Sequence, residues 1–252
     1  MPGAYGFESL RPHKAGSLGV PSFYRRMNMT AKTLLFAAAL CAAAFSSCAT
    51  HRTPGDGALR TGDLVFVGIP ADYSLGDDSM AGAIGEATGD GDSLNIIHVA
   101  ILEVAGDSTW IIDATIKRNV DRHPLDTFIR DFTLKDGSLP TFIIKRLKDP
   151  SGADKFVENA KSHLGEPYDA AFLPDNGALY CSELVRDCYV SEDGTRLFTQ
   201  APMNFKDADG QMPLYWQQLF DILGMPVPQG VEGTNPRAMC GESILETVRT
   251  GF

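Results

Sequence analysis

Apolar residues recur along this chain in short blocks, and their spacing changes from block to block between strand and helix periods. Residues 63–67, Asp-Leu-Val-Phe-Val, are a β-branched and aromatic run that stops at Gly68, which predicts a strand. Met80, Ala83, Ile84 and Ala87 fall at helical spacing and predict a helix over residues 79–88. Residues 95–104 are apolar almost throughout, broken only by His98 and Glu103, and predict a buried central strand. Turn chemistry follows at Ala105-Gly-Asp-Ser108, and residues 109–114 return as a second strand. A short helix is expected over 125–132, a third strand over 141–147, and a helix over 153–164 ended by Gly165. Residues 181–189 read as helical, with Leu184, Val185 and Cys188 on one face. Another helix is expected over 214–223, before a tail rich in Pro and Gly. No internal repeat or low-complexity segment interrupts the series. The sum is an α+β protein whose mainly antiparallel sheet packs against helices.

The first sixty residues break this pattern. Residues 1–26 have no periodicity and would sit awkwardly before a leader, so they read as an over-extended start, with Met27 or Met29 the more natural beginning. Arg25, Arg26 and Lys32 precede an apolar run from Thr33 to Phe45, which Ser46-Ser47-Cys48 closes. A positive flank, an apolar stretch of about 7–15 residues and small residues before a cleavage point describe an export signal. The run falls short of the ~20 apolar residues a spanning helix needs. Phe45-Ser-Ser-Cys48 resembles the bacterial lipobox, with Phe45 standing where Leu is usual. Residues 27–48 are therefore expected to be a lipoprotein signal peptide, with Cys48 lipidated and the protein held at the membrane of the cell envelope. An ordinary signal peptide with an incidental cysteine is the plainer alternative. Residues 49–60, polar and containing Pro54-Gly-Asp-Gly57, read as a tether to a domain at 61–252.

The chain has 252 residues, within reach of one domain, and 44% are hydrophobic, so a packed core is expected rather than disorder. Beyond Cys48 it carries 17 basic and 31 acidic residues. Nucleic-acid affinity comes mainly from Lys and Arg against phosphate, so DNA or RNA is a poor partner for such a body. The cysteines after Cys48 are Cys181, Cys188 and Cys240, an odd number that leaves at least one free thiol without a partner chain. No CxxC pair exists, and His51, His98, His123 and His163 show no HxxxH spacing. Neither a structural zinc site nor any cofactor is expected.

His98 is the odd residue in Ile-Ile-His-Val-Ala-Ile. An imidazole buried in such a strand needs partners for its nitrogens, as a satisfied core histidine or as a working base. If the Ala105–Ser108 turn closes a hairpin with an even-numbered loop, facing residues sum to 213, and Asp113 shares a sheet face with His98. A carboxylate on one ring nitrogen fixes the tautomer and leaves the other free as a base. A three-residue loop would send Asp113 to the opposite face. Cys181 opens a helix, where unpaired N–H groups and the macrodipole favour a thiolate, although a cysteine at a helix start is by itself a weak signal. Cys188 lies in the apolar stripe as a core thiol, and Cys240 sits in a loop-like stretch with no role assigned. His123 and His163 are expected at the surface.

Several of these segments together carry a family resemblance. Thr61-Gly-Asp-Leu-Val-Phe66, Ala87-Thr-Gly89, His98-Val-Ala-Ile101, Ile112-Asp-Ala114, Leu164-Gly-Glu-Pro-Tyr-Asp169 and Tyr180-Cys-Ser-Glu-Leu-Val185 resemble the permuted NlpC-type papain-like hydrolases, in particular the YiiX/YebB-like group. Pro202-Met-Asn-Phe205, Tyr215-Trp216 and Gly233-Thr-Asn-Pro236 extend the likeness, so it spans roughly residues 60–248. The histidine segment precedes the cysteine segment, the order of the permuted branch. The resemblance implies a circularly permuted papain-like fold in which Cys181 attacks a carbonyl, His98 takes its proton and Asp113 orients His98. Similar proteins commonly carry Glu at the third place, and Asp113 reaches less far. Tyr168 matches a tyrosine beside the nucleophile, whose hydroxyl would bind the carbonyl oxygen together with the Cys181 N–H, or would simply pack.

Three functions fit. The first is an amidase or peptidase acting on a small amide or peptide of the cell envelope, such as a wall peptide. The second is acyl transfer or ester and thioester hydrolysis on lipids, since the permuted fold is shared with lecithin:retinol acyltransferase-like enzymes and fold does not fix function. The third is a tethered binding module with a retired site, against which the retained Cys181, His98 and Asp113 speak.

Overall fold

The computed structural model describes residues 57–73, 79–89 and 93–252. The expected over-extended start, export signal and Cys48, and the expected tether up to residue 56, lie outside the described residues. The chain runs β1 (Leu64–Pro70), α1 (Met80–Thr88), β2 (Leu94–Ala105), β3 (Ser108–Thr115), β4 (Asn119–Pro124), α2 (Leu125–Phe132) and β5 (Thr141–Leu147). It continues with α3 (Ala153–Ser162), α4 (Cys181–Cys188), β6 (Ala201–Pro202), α5 (Leu214–Leu223), β7 (Glu232–Gly233), α6 (Pro236–Cys240) and β8 (Leu245–Thr250). The strands and helices expected from periodicity are present, with ends shifted by up to three residues, β1 running through Gly68 to Pro70. Four strands, β4, β6, β7 and β8, and one helix, α6, were not expected. β4 has a single large apolar residue, Val120, and as an edge strand ending in Pro124 it needs no more. β8 lies in what read as tail. Cys240, read as loop, ends α6, which Asn235 caps by accepting the Ala238 N–H at 2.8 Å and which opens with Pro236.

Six strands form one sheet in the order β4-β3-β2-β1-β5-β8, and every neighbouring pair is antiparallel. Strand alternation gives the sheet two apolar faces. Leu64, Phe66, Val99, Ile101 and Ile112 face Phe156 and Val157 of α3, Leu184 and Val185 of α4, and Met239 of α6. Val65, Val67, Ala100, Leu102, Ile111 and Ile144 face Phe128 and Phe132 of α2. A third cluster joins Met80 of α1 to Trp216, Leu219 and Phe220 of α5 through Phe172, Tyr180, Met203 and Phe205. No helix among the described residues is long and apolar enough to cross a membrane.

One irregularity sits beside His98. Val67 pairs with His98 but Gly68 pairs with Ile96, so Ile97 is an extra residue on β2. Its effect is visible in the packing: Ile96 and Val99 share one face and Ile97 and Ala100 the other, each pair three residues apart. A bulge of this kind re-aims the side chains around it. Gly68 belongs to it, since a Cβ there would meet the Ile96 side chain at 3.1 Å.

Candidate active site

The β2–β3 hairpin has the even loop. Ile101 faces Ile112 and Ala105 faces Ser108 across Gly106-Asp107, with Gly106 at φ 60°. Continuing that register places Asp113 diagonal to His98 on a shared face, and the two side chains meet. His98 Nε2 lies 2.8 Å from Asp113 Oδ2, with the residues 7% and 1% exposed. Phe132 covers the imidazole at a centroid distance of 4.8 Å.

Cys181 is the first residue of α4 and is 6% exposed. The first bond of the helix is Leu184 N–H to Tyr180 C=O, which leaves the Cys181 N–H outside the helical ladder. Cys181 and His98 interact directly. Burial alone would push the imidazole pKa down. The negative charge on Cys181, a hydrogen bond to Asp113, a hydrogen bond to Cys181 and the charge on Asp113 outweigh it and carry His98 up to about 10. That shift favours the imidazolium near neutral pH, between the Cys181 sulfur and the Asp113 carboxyl group.

Tyr168 reaches this place by a different route. It forms an isolated bridge with Leu179, two residues before Cys181, and its N–H donates to Asn119 Oδ1 at 3.3 Å. Its hydroxyl donates to Met80 Sδ at 3.6 Å, a weak contact. Burial first, then the charge on Cys181, raises the phenol well above its ordinary pKa, so it stays a proton donor. The next residue, Asp169, is buried and accepts the Ala171 and Leu173 N–H groups, both at 2.8 Å, which fixes the turn carrying Tyr168.

Further residues of the site escaped the sequence reading. Thr234 donates its N–H to Tyr180 Oη at 3.0 Å and its hydroxyl to Ser182 Oγ at 2.9 Å, gripping both neighbours of Cys181. Its segment, Gly233-Thr-Asn-Pro236, belonged to the resemblance, but nothing local to it announces the contact. Glu183, in the first turn of α4, is pushed up to about 8, chiefly by burial and then by the charges of Asp169 and Asp187. His123 is a correction: it is 5% exposed, not at the surface, because β4 turns it onto the sheet face that α2 covers. His163 is half-buried and its Nδ1 meets Glu166 at 2.9 Å. Cys188 and Cys240 are buried thiols whose pKa burial pushes up. Among the described residues no group of three or more His, Cys, Asp or Glu side chains is placed to hold a metal ion.

The chain is similar to known proteins. The family model for permuted papain-like amidase enzymes of the YaeF/YiiX type matches residues 58–249. The uncharacterized protein YiiX of Escherichia coli is 25% identical over 192 residues, 75% of this chain and 85% of that protein. A crystal structure of the metalloprotein YiiX from Escherichia coli O157:H7 has a similar fold, with a TM-score of 0.59 and 24% identity, over 77% of this chain and 98% of that one.

Proposed function

The chain belongs to the permuted papain-like amidases of the YaeF/YiiX family, cysteine hydrolases of the amidase and peptidase type, and from that premise we propose that it cleaves a cell-envelope amide through Cys181, His98 and Asp113. The observation that carries this reading is His98, bonded through Nε2 to Asp113 and interacting with Cys181 at the start of α4. The Cys181 thiolate attacks the carbonyl carbon, and the carbonyl π pair moves onto oxygen. The Cys181 N–H and the Tyr168 hydroxyl donate to that oxyanion. Collapse expels the amine, which takes its proton from the His98 imidazolium and leaves a thioester on Sγ. The now neutral His98 removes a proton from water, whose oxygen displaces Sγ. The carboxylic acid departs and the thiolate–imidazolium pair returns. Asp113 holds the ring in place and stabilises its charge without itself taking the proton.

The Escherichia coli structure is of a metalloprotein, and the donor set of this chain's described residues offers no counterpart to a metal site. Among the described residues the site offers no group of three ligands, and His98 Nε2 is committed to Asp113, so no step is routed through a metal.

The test combines labelling and turnover. Iodoacetamide should alkylate Cys181 well ahead of Cys188 and Cys240. Cys181→Ala should fold normally and lose activity on every hydrolysable member of a panel of wall peptides, N-acyl amides and esters. Equal labelling of the three thiols, or full activity in Cys181→Ala, removes the reading. Hydrolysis of esters without amides would move the substrate to the acyl class.

Lipid anchoring at Cys48 belongs to the same proposal and rests on the leader and on Phe45-Ser-Ser-Cys48. Several acyl chains hold a protein stably at a membrane where one does not. Cys48→Ser should leave the membrane fraction or remain unprocessed. Wild-type protein recovered soluble with Cys48 unmodified would remove the anchor.

A further inference from the structure

β4 contributes a buried histidine that the hydrolysis chemistry leaves unused. Asp113 and Asp121 face each other across β3 and β4, and His123 shares their face two residues further along. His123 Nδ1 stands 3.5 Å from Asp121 Oδ2 and 3.9 Å from Asp113 Oδ1. Asp113 Oδ1 and His123 Nδ1 are both buried, and neither has a hydrogen-bond partner in the protein. The other Asp113 oxygen is the one that holds His98.

The plain reading of His123 is packing, since its ring stacks against Phe128 at a centroid distance of 6.3 Å. Packing accounts for a flat apolar ring in this place. It does not account for two complementary polar atoms left bare 3.9 Å apart, each costly to bury unpaired. A side-chain shift of about an ångström brings them within the usual N–H···O distance. Two carboxylates directly opposite on neighbouring strands also repel, and a donor between them relieves that repulsion.

We propose that His123 is a positioning residue whose Nδ1–H donates to Asp113 and keeps that carboxylate turned toward His98. The inference rests on the reading of Cys181 and His98 as the reacting pair. The groups around His123 alternate in charge. Asp113 lies inward, with His98 beyond it on β2. Asp121 lies outward and is 38% exposed at its side chain, with Arg118 Nη1 at 3.9 Å. Arg118 in turn pairs with Asp131 of α2, which also binds Lys117. Phe128 and Phe132 of α2 cover His98, and Phe128 also lies against His123. Removing the donor leaves Asp113 Oδ1 bare and facing Asp121, so the carboxylate is no longer held toward His98. His98 then loses a positioned counter-charge, and the thiolate–imidazolium pair forms only at higher pH.

The experiment is the pH profile of iodoacetamide alkylation at Cys181, read by peptide mass spectrometry on the full chain with thermal melts alongside. His123→Phe keeps the stacked ring and should move the acid limb up by about one pH unit, the size expected for losing a hydrogen bond to a charged group. His123→Asn places an amide N–H near the position of Nδ1 and should restore the limb. In an Asp113→Asn background, His123→Phe should shift nothing further, because its effect passes through Asp113. An unmoved limb in a folded His123→Phe, no rescue by Asn, or a full shift in the Asp113→Asn background each overturns the proposal. Should His123→Phe fail to fold, proton–nitrogen NMR of the wild type decides: a slowly exchanging Nδ1–H on His123 supports it, and a ring protonated only at Nε2 overturns it. If wild-type Cys181 labels no faster than Cys188, the reacting pair itself falls. An unmoved limb on a reactive Cys181 removes His123 alone.

Discussion

His98 is the residue whose surroundings decide its chemistry. Burial in an apolar strand should keep an imidazole neutral, yet the sulfur of Cys181 and the carboxylate of Asp113 carry it up to about 10. In the proposed mechanism its first act is therefore to give a proton rather than take one. Replacing Asp113 by Asn removes one charge and one charge-assisted hydrogen bond from the ring. kcat/KM should fall by about ten- to a hundredfold, the equivalent of a hydrogen bond to a charged group. The pKa of His98 should fall with it. Because the imidazolium is the acid, the high-pH limb of turnover should move to lower pH. His98→Ala removes the acid and base altogether and should cost more, by a further factor of about ten or greater. Steady-state rates across pH 5 to 10 on a common substrate would check both. An Asp113→Asn enzyme as fast as wild type, or as slow as His98→Ala, contradicts the positioning role.

At the scale of elements, the start of α4 is held from outside. Its N-cap, Tyr180, makes no side-chain capping bond, so the helix does not fix its own first turn. The junction between β7 and α6 does so, through Thr234 on Tyr180 and Ser182, while Asn235 caps α6 immediately after. Thr234→Val keeps the shape and the backbone N–H bond to Tyr180 but strands the Ser182 hydroxyl, which is 0% exposed. The expected cost is about 1–3 kcal/mol of stability, the penalty for a buried polar group left unpaired. A looser helix start should also slow Cys181 labelling severalfold. Urea titration and labelling together test this, and an unchanged midpoint with unchanged labelling would show that Thr234 braces nothing.

Over the whole molecule, Glu183 links stability to pH. Its carboxyl is pushed up to about 8, first by burial, then by Asp169 and Asp187, with Tyr180 N–H and Arg186 opposing. The folded protein thus keeps a proton that the unfolded chain releases near the ordinary carboxylate value. That stability is complete below the ordinary value and is lost as pH rises through about 8. Glu183→Gln removes the linkage. At pH 8 the variant should melt above the wild type, by about 3 °C for each kcal/mol recovered, and the difference should vanish by pH 4.5. Other titrating groups are common to both proteins and cancel in the difference. Equal melting points at pH 8 would mean that Glu183 is ionised without cost in the fold.

Local physics determined much of this protein directly from its sequence. The α+β class, α2 and β5 to the residue, and the helix opening at Cys181 follow from hydrophobic period and turn chemistry, which act within an element or across one tight turn. The even β2–β3 loop is such a case, and with it came the meeting of His98 and Asp113. Tertiary structure decided what depends on distant partners. The bulge at Ile97 arises from pairing with β1, about thirty residues away. β8 became a strand because β5 offers it an edge. β4 became one because β3 does, and that pairing buried His123, whose neighbours in sequence are an arginine and a proline. Thr234 meets Ser182 across 52 residues. A polar side chain carries no mark of whether a remote strand or helix will cover it. Period and turn chemistry therefore fixed where Cys181 and His98 stand on their elements and brought Asp113 to His98, and packing supplied the other groups that surround them.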